Sequence, residues 1–213
     1  MISITNSYDL LLFLKNQDLI NEENEYWWPN NNSFEIFMGA ILTQNTKWIN
    51  VEKSLENLRK LNINSLEKLS SINLQELIIA ITPSGFKNQK SIRLITIAKN
   101  IIEEFNTFEE FCLNVDRQWL LTQKGIGFET ADTILCYSCK QDYMVIDSYT
   151  NKLLKRFGFE FESYEQLQEW CEFGINENYD KIVGLYNYEI SLNKIYSRFH
   201  GKIIEFMKRN PKG

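Results

Sequence analysis

An acidic residue ends a short apolar run in Val145-Ile146-Asp147-Ser148-Tyr149, twenty residues after the second glycine of Lys124-Gly125-Ile126-Gly127. A carboxylate held out of bulk water can stabilise a developing positive charge or orient a water for attack. Glycines two apart let the backbone turn tightly and approach a partner closely. They also leave the first amides of the following helix open to a phosphate oxygen. Plainer readings stand beside these. Asp and Ser cap helices routinely, each for roughly 1 kcal/mol, and a glycine hairpin can be purely structural. A dinucleotide-binding reading needs a preceding strand and a third glycine. Here a helical stretch, Trp119-Leu120-Leu121, comes first, and Thr130 holds the third position.

The remaining reactive side chains carry less pattern. His200 is the one histidine and lies in an apolar-periodic stretch with no nucleophile motif, so a structural role is expected, and no triad is built on it. Lys202 follows two residues later. The four cysteines, Cys112, Cys136, Cys139 and Cys171, are expected as free thiols of a reducing compartment. Cys136-x-x-Cys139 has no second CxxC after it and reads as core packing rather than a metal or redox site.

The elements that must hold these groups are helices. Phe34, Phe37, Met38, Ile41 and Leu42 form one stripe at helical spacing, and Trp48, Val51, Leu55 and Leu58 another. Pro83-Ser84-Gly85 breaks the pattern, Ile92, Ile95, Ala98, Ile102 and Phe105 resume it, and Tyr188, Leu192, Ile195, Phe199, Ile203 and Phe206 mark a long final face. Two helices flank the hairpin, the second running from Phe128 to Cys139 with Ala131, Ile134 and Leu135 inward. Strand-like alternation is confined to Phe159 and Phe161. The fold class is therefore all-α, without internal repeats.

Composition limits the function classes. The chain has 213 residues, 44% hydrophobic and 24% charged, with 9 Gly and 3 Pro, which describes an ordinary globular protein rather than a disordered or fibrous one. No apolar run approaches the roughly 18 residues of a membrane helix, and the first residues lack signal-peptide form, so a cytosolic location is expected. The net charge of −5 is unevenly spread. Residues 81–100 carry Lys87, Lys90, Arg93 and Lys99 with no acid, and residues 194–213 carry six basic residues against Glu205 alone. Seven acids gather between Glu160 and Asp180. Screening acts over about 10 Å, so a basic face for nucleic acid is compatible with the overall negative charge.

Lys124-Gly125-Ile126-Gly127-Phe128-Glu129-Thr130-Ala131 and Val145-Ile146-Asp147-Ser148 resemble, in type, order and spacing, the helix-hairpin-helix DNA glycosylase superfamily. That family pairs a Gly-apolar-Gly hairpin with a catalytic aspartate about twenty residues on. Phe34-Glu35 through Gly39-Ala40-Ile41-Leu42-Thr43-Gln44-Asn45-Thr46 is similar to the segment that carries a duplex-inserting glutamine in endonuclease III relatives. Ser84-Gly85-Phe86-Lys87-Asn88-Gln89-Lys90 resembles a second family segment. The resemblance implies two helical lobes flanking a DNA-binding cleft. It puts a six-helix barrel with the hairpin over residues 34–148 and the second lobe over 1–33 with 149–213. Asp147 is then the catalytic residue, and Gln44, Lys90, Lys124, Gly125, Ile126, Gly127, Glu129 and Thr130 contact DNA.

Two departures narrow the branch. Bifunctional relatives place a lysine nucleophile where this chain has Glu129, so lyase chemistry is not expected. Many relatives hold an iron-sulfur cluster through four closely spaced C-terminal cysteines, and no cysteine follows Cys171 here, so no cofactor is expected. With Tyr26-Trp27-Trp28-Pro29 and Gln44-Asn45-Thr46-Lys47-Trp48, the chain looks most like the bacterial 3-methyladenine-specific branch of endonuclease III relatives. The implied partner is double-stranded DNA containing alkylated bases, met by a monomer with no membrane involved. An N3-alkylated adenine is already a good leaving group, so a carboxylate beside the sugar and aromatic faces around the flipped base suffice. Trp27, Trp28, Pro29, Trp48 and Lys202 are the expected base pocket. A glycosylase for oxidised or mismatched pyrimidines and a non-catalytic DNA-binding module are the competing readings.

Overall fold

A computed structural model of the chain describes residues 4–20, 27–29 and 33–211. Tyr26 and the asparagine cluster Asn30 to Asn32 lie outside the described residues. In chain order the helices are α1 (Ser7–Lys15), α2 (Ser33–Leu42), α3 (Trp48–Lys60), α4 (Leu66–Ser71), α5 (Leu74–Ala80), α6 (Lys87–Phe105), α7 (Phe108–Asn114), α8 (Arg117–Thr122), α9 (Phe128–Thr133), α10 (Ser148–Arg156), α11 (Tyr164–Asn176), α12 (Tyr179–Val183) and α13 (Leu192–Arg209). A 3₁₀ turn occupies Thr82–Ser84, and a π segment, Ile134–Ser138, continues α9. There is no strand among the described residues. Phe159 and Phe161 instead pack their rings on Trp170, with centroids 4.8 and 5.9 Å away. No helix among the described residues is long and apolar enough to cross a membrane.

The chain divides into two units, one of Asn30–Lys140 and one of Met1–Pro29 with Gln141–Gly213. The division falls at 140 rather than at the expected 148, so Asp147 belongs with the terminal helices. Residues 30–140 hold α2 to α9, more helices than the six expected. The extra breaks are local: Ser65, Asn73, Thr107 and Asp116 each start a new short helix by accepting a hydrogen bond from a first-turn amide.

Within Asn30–Lys140, α2 is buried from Phe34 to Leu42 except at Glu35, as a helix apolar on all sides must be. Its Phe34 and Phe37 join Phe105, Phe108, Phe111 and Trp119 in a chain of edge-on and stacked rings 5.0 to 6.1 Å apart. On α6 the buried face is Lys90, Ser91, Leu94, Ile97, Ala98 and Ile101. The expected stripe of Ile92, Ile95, Ala98, Ile102 and Phe105 is thus mostly the wrong face, and Ile92 is 55% exposed. The terminal unit has its own core of Leu10, Leu11 and Leu14 from α1, Leu153 and Leu154 from α10, Leu167, Cys171 and Ile175 from α11, and Ile195, Phe199 and Ile203 from α13. Tyr188 precedes α13 and stays exposed.

Candidate active site

Asp147 ends an extended stretch that α11 fastens residue by residue. Glu172 accepts from the Met144 amide (3.0 Å), Gln168 donates to the Met144 carbonyl (2.7 Å), and the Tyr164 hydroxyl accepts from the Ile146 amide (3.2 Å). Its side chain caps α10, with Oδ1 accepting from the Thr150 amide (2.8 Å) and hydroxyl (2.9 Å). Oδ2 faces His200 Nε2 at 3.6 Å, and only 12% of the aspartate side chain is exposed. Burial alone would raise the carboxyl pKa. The His200 contact and charge, with the two Thr150 donors, outweigh it and hold Asp147 below the ordinary aspartate value of 3.8. The group is therefore an anion at neutral pH. Capping and a charged, oriented carboxylate coexist on this one side chain.

The imidazole belongs to His200-Gly201-Lys202, a buried run on α13. A Cβ at Gly201 would overlap the Trp27 side chain, so only glycine lets that indole lie against the helix. Trp27 meets the His200 ring edge-on at 5.9 Å and Trp28 at 6.3 Å, and its Nε1 donates to Glu205 at 3.3 Å. Lys208, paired with Glu205 at 3.0 Å, stands 5.6 Å over the same indole. Trp28 is buried and Pro29 exposed. The structure thus brings Trp27 and His200 to one another and His200 to Asp147. The sequence pointed only to a structural place for His200; the structure sets its imidazole beside Asp147.

The hairpin lies in the other unit. Gly125 sits at φ +85, where a Cβ would also strike the Arg93 guanidinium. Gly127 is extended at φ −102, with open space around its Cα, so backbone freedom is needed at only the first glycine. Lys124, Gly125, Gly127 and Glu129 are exposed, whereas Ile126 and Thr130 are buried. Arg117 clamps the two helices through a double hydrogen bond to buried Asp132 (2.7 and 2.9 Å) and lies 4.7 Å from the Phe128 ring. Gln44, expected to insert into duplex DNA, is tied to this hairpin. Its Nε2 donates to the Gly125 carbonyl and the Thr130 hydroxyl, each at 2.9 Å, and its Oε1 accepts from Arg93 at 2.7 Å. Trp48 is half-buried at the first turn of α3.

Lys90 corrects the sequence reading. It was expected on the DNA-binding face, but it is 1% exposed and its ammonium is spent on two carbonyls, Leu42 (2.7 Å) and Ser84 (2.8 Å). It bolts the end of α2 to the turn before α6. Burial, with Arg93 nearby, pulls its pKa down from 10.5 to about 8.

Residues 38–177 match the model of the HhH-GPD superfamily of base excision DNA repair proteins. A protein of Methanocaldococcus jannaschii named among the DNA repair glycosylases is 32% identical over 193 residues, 87% of this chain and 81% of that one. The structure of the H. pylori 3-methyladenine DNA glycosylase MagIII bound to 1,N6-ethenoadenine superimposes with a TM-score of 0.94 at 45% identity, covering 98% of this chain and 100% of the other. A DNA-trapped endonuclease III shares the fold, with a TM-score of 0.72 at 17% identity over 99% of this chain and 90% of its own. With the hairpin, the capped aspartate and this likeness together, the chain belongs to the HhH-GPD superfamily of base excision DNA repair proteins.

Proposed function

We propose that this chain is a monofunctional DNA glycosylase that excises alkylated purines, chiefly 3-methyladenine, in base excision repair. The observation that carries the reading is the likeness, along the whole of both chains, to a 3-methyladenine glycosylase. The anionic state of Asp147 supports it chemically. With the target nucleotide flipped out, the carboxylate stabilises the cationic sugar as the base departs, and water completes the hydrolysis at the sugar carbon. An alkylated purine already carries positive charge, so little protonation of the leaving base is required. Trp27 and Trp28 are the stacking faces for such a base, with Pro29 and Lys202 completing that side of the pocket. On binding, Gln44 exchanges its hairpin hydrogen bonds for the gap in the duplex, and the backbone amides of Lys124 to Gly127, with those of Glu129 and Thr130, grip the phosphates.

Glu129 supports the single activity, because the position that carries an amine nucleophile in bifunctional relatives carries an acid here. The test is release of bases from methylated duplex DNA, resolved by chromatography, with borohydride trapping run in parallel. Free 3-methyladenine without a trapped protein–DNA adduct is the expected result. Release of oxidised pyrimidines in its place, or a trapped adduct, would overturn the reading.

A further inference from the structure

Cys112 and Cys139 come together in the folded chain although the sequence gives them no shared motif. Cys112 lies in α7, and Cys139 closes the π segment, its amide donating to the Ile134 carbonyl at 2.9 Å. The Cys112 thiol points to the Ser138 carbonyl (3.9 Å), and the two cysteine side chains hydrogen-bond to one another. The corner that presents Cys139 is itself held, since the Ser138 hydroxyl donates to the Ser33 carbonyl at 2.6 Å. Cys112 and Cys139 are half-buried, whereas Cys136 and Cys171 are fully buried.

We propose that Cys112 and Cys139 form a peroxide-oxidisable dithiol, a modification site that takes hydrogen peroxide or a small hydroperoxide and stores the oxidation as a disulfide. The Cys112 thiolate attacks one peroxide oxygen, the O–O bond breaks, and the departing hydroxide takes a proton to become water. Cys139 then gives up its proton and attacks the sulfenic sulfur, the S–O bond breaks, and a second water leaves. Two thiols are oxidised and one peroxide is reduced to two waters. The roles follow from the surroundings. The hydrogen bond from Cys139 pulls the Cys112 thiol below the ordinary cysteine value, against burial and Glu109 and with help from Ser138 and Lys140. The same bond, followed by burial, pushes Cys139 up. Thiolate is the nucleophilic form, so Cys112 attacks and Cys139 resolves.

The experiment treats the full folded chain with hydrogen peroxide and maps its peptides by mass spectrometry without reduction. A Cys112–Cys139 cross-link that dithiothreitol reverses is expected, with Cys136 and Cys171 unmodified. Cys139→Ser is expected to leave a sulfenic acid at Cys112 that dimedone traps, and Cys112→Ser to slow oxidation of Cys139 by ~10-fold or more. A Cys136–Cys139 cross-link, no cross-link at all, or undiminished oxidation of Cys139 in Cys112→Ser would overturn the proposal. None of these readouts depends on base release.

Discussion

His200 Nε2 stands 3.6 Å from Asp147 Oδ2, while Thr150 occupies the other carboxylate oxygen. The two oxygens therefore have different duties: one anchors the helix cap, and the other faces an imidazole beside an indole. Because His200 supplies the largest influence opposing burial, His200→Gln is expected to let the Asp147 pKa rise. The protonated, inactive carboxyl then persists to higher pH, so the acid limb of the single-turnover rate shifts upward. In the native chain that limb lies below 3.8 as far as Asp147 sets it. By the same sign, the stability Asp147 contributes is present above 3.8 and lost as pH falls through its lower folded value. A pH–rate profile of the variant superimposing on that of the native chain would remove His200 from the site.

Asp147→Asn separates charge from capping. Asparagine caps a helix as well as aspartate does, so the cap is kept and the melting temperature is expected to fall only by what the charge beside His200 contributes. Base release is expected to fall more than tenfold, equivalent to at least ~1.4 kcal/mol of transition-state stabilisation. Single-turnover kinetics on methylated duplex, with DNA affinity measured alongside, decides whether the carboxylate does more than cap α10.

The two hairpin glycines are expected to behave differently. Gly125→Ala forces a Cβ into positive φ and into Arg93, so it should lower stability and weaken binding to every duplex, damaged or not. Gly127→Ala meets neither obstacle in the free protein. Any affinity it loses therefore reports close approach of DNA backbone at that residue, read by titration against plain and methylated duplex at one salt concentration.

Lys90→Met should destabilise the chain by about 1 to 3 kcal/mol, because the carbonyls of Leu42 and Ser84 lose their donor. The pH dependence has a defined sign. Lys90 titrates near 8 when folded and near 10.5 when unfolded, so across that window the unfolded chain binds more protons. Native stability relative to Lys90→Met should thus rise between about pH 8 and 10.5. Parallel denaturant titrations across that range test it.

Asp147 and the hairpin were legible because each is a local pattern: an acid after an apolar run, and glycines two apart, at a fixed separation. His200 was not. Its partner lies on another helix far back in the chain, and a lone histidine on an apolar face carries no local sign of what it faces. Lys90 misled for a related reason: among Lys87, Arg93 and Lys99 it reads as part of a basic face, and only the carbonyls it meets give it a place inside. The α6 stripe failed because that helix offers two apolar arcs, and packing selected Leu94, Ile97 and Ile101 rather than Ile92, Ile95 and Ile102.

The π segment changes the angular phase of the chain. In an α-helix each residue advances about 100°, so residues three apart return to nearly the same side. The i to i+5 bond from Cys139 to Ile134 marks a wider turn in which each residue advances less. Cys136 and Cys139 thereby lose their common side: one thiol turns into the core, and the other is handed to Cys112. A motif that looks like a pair in the sequence is separated by one extra residue of winding, which frees its second member for a partner on α7.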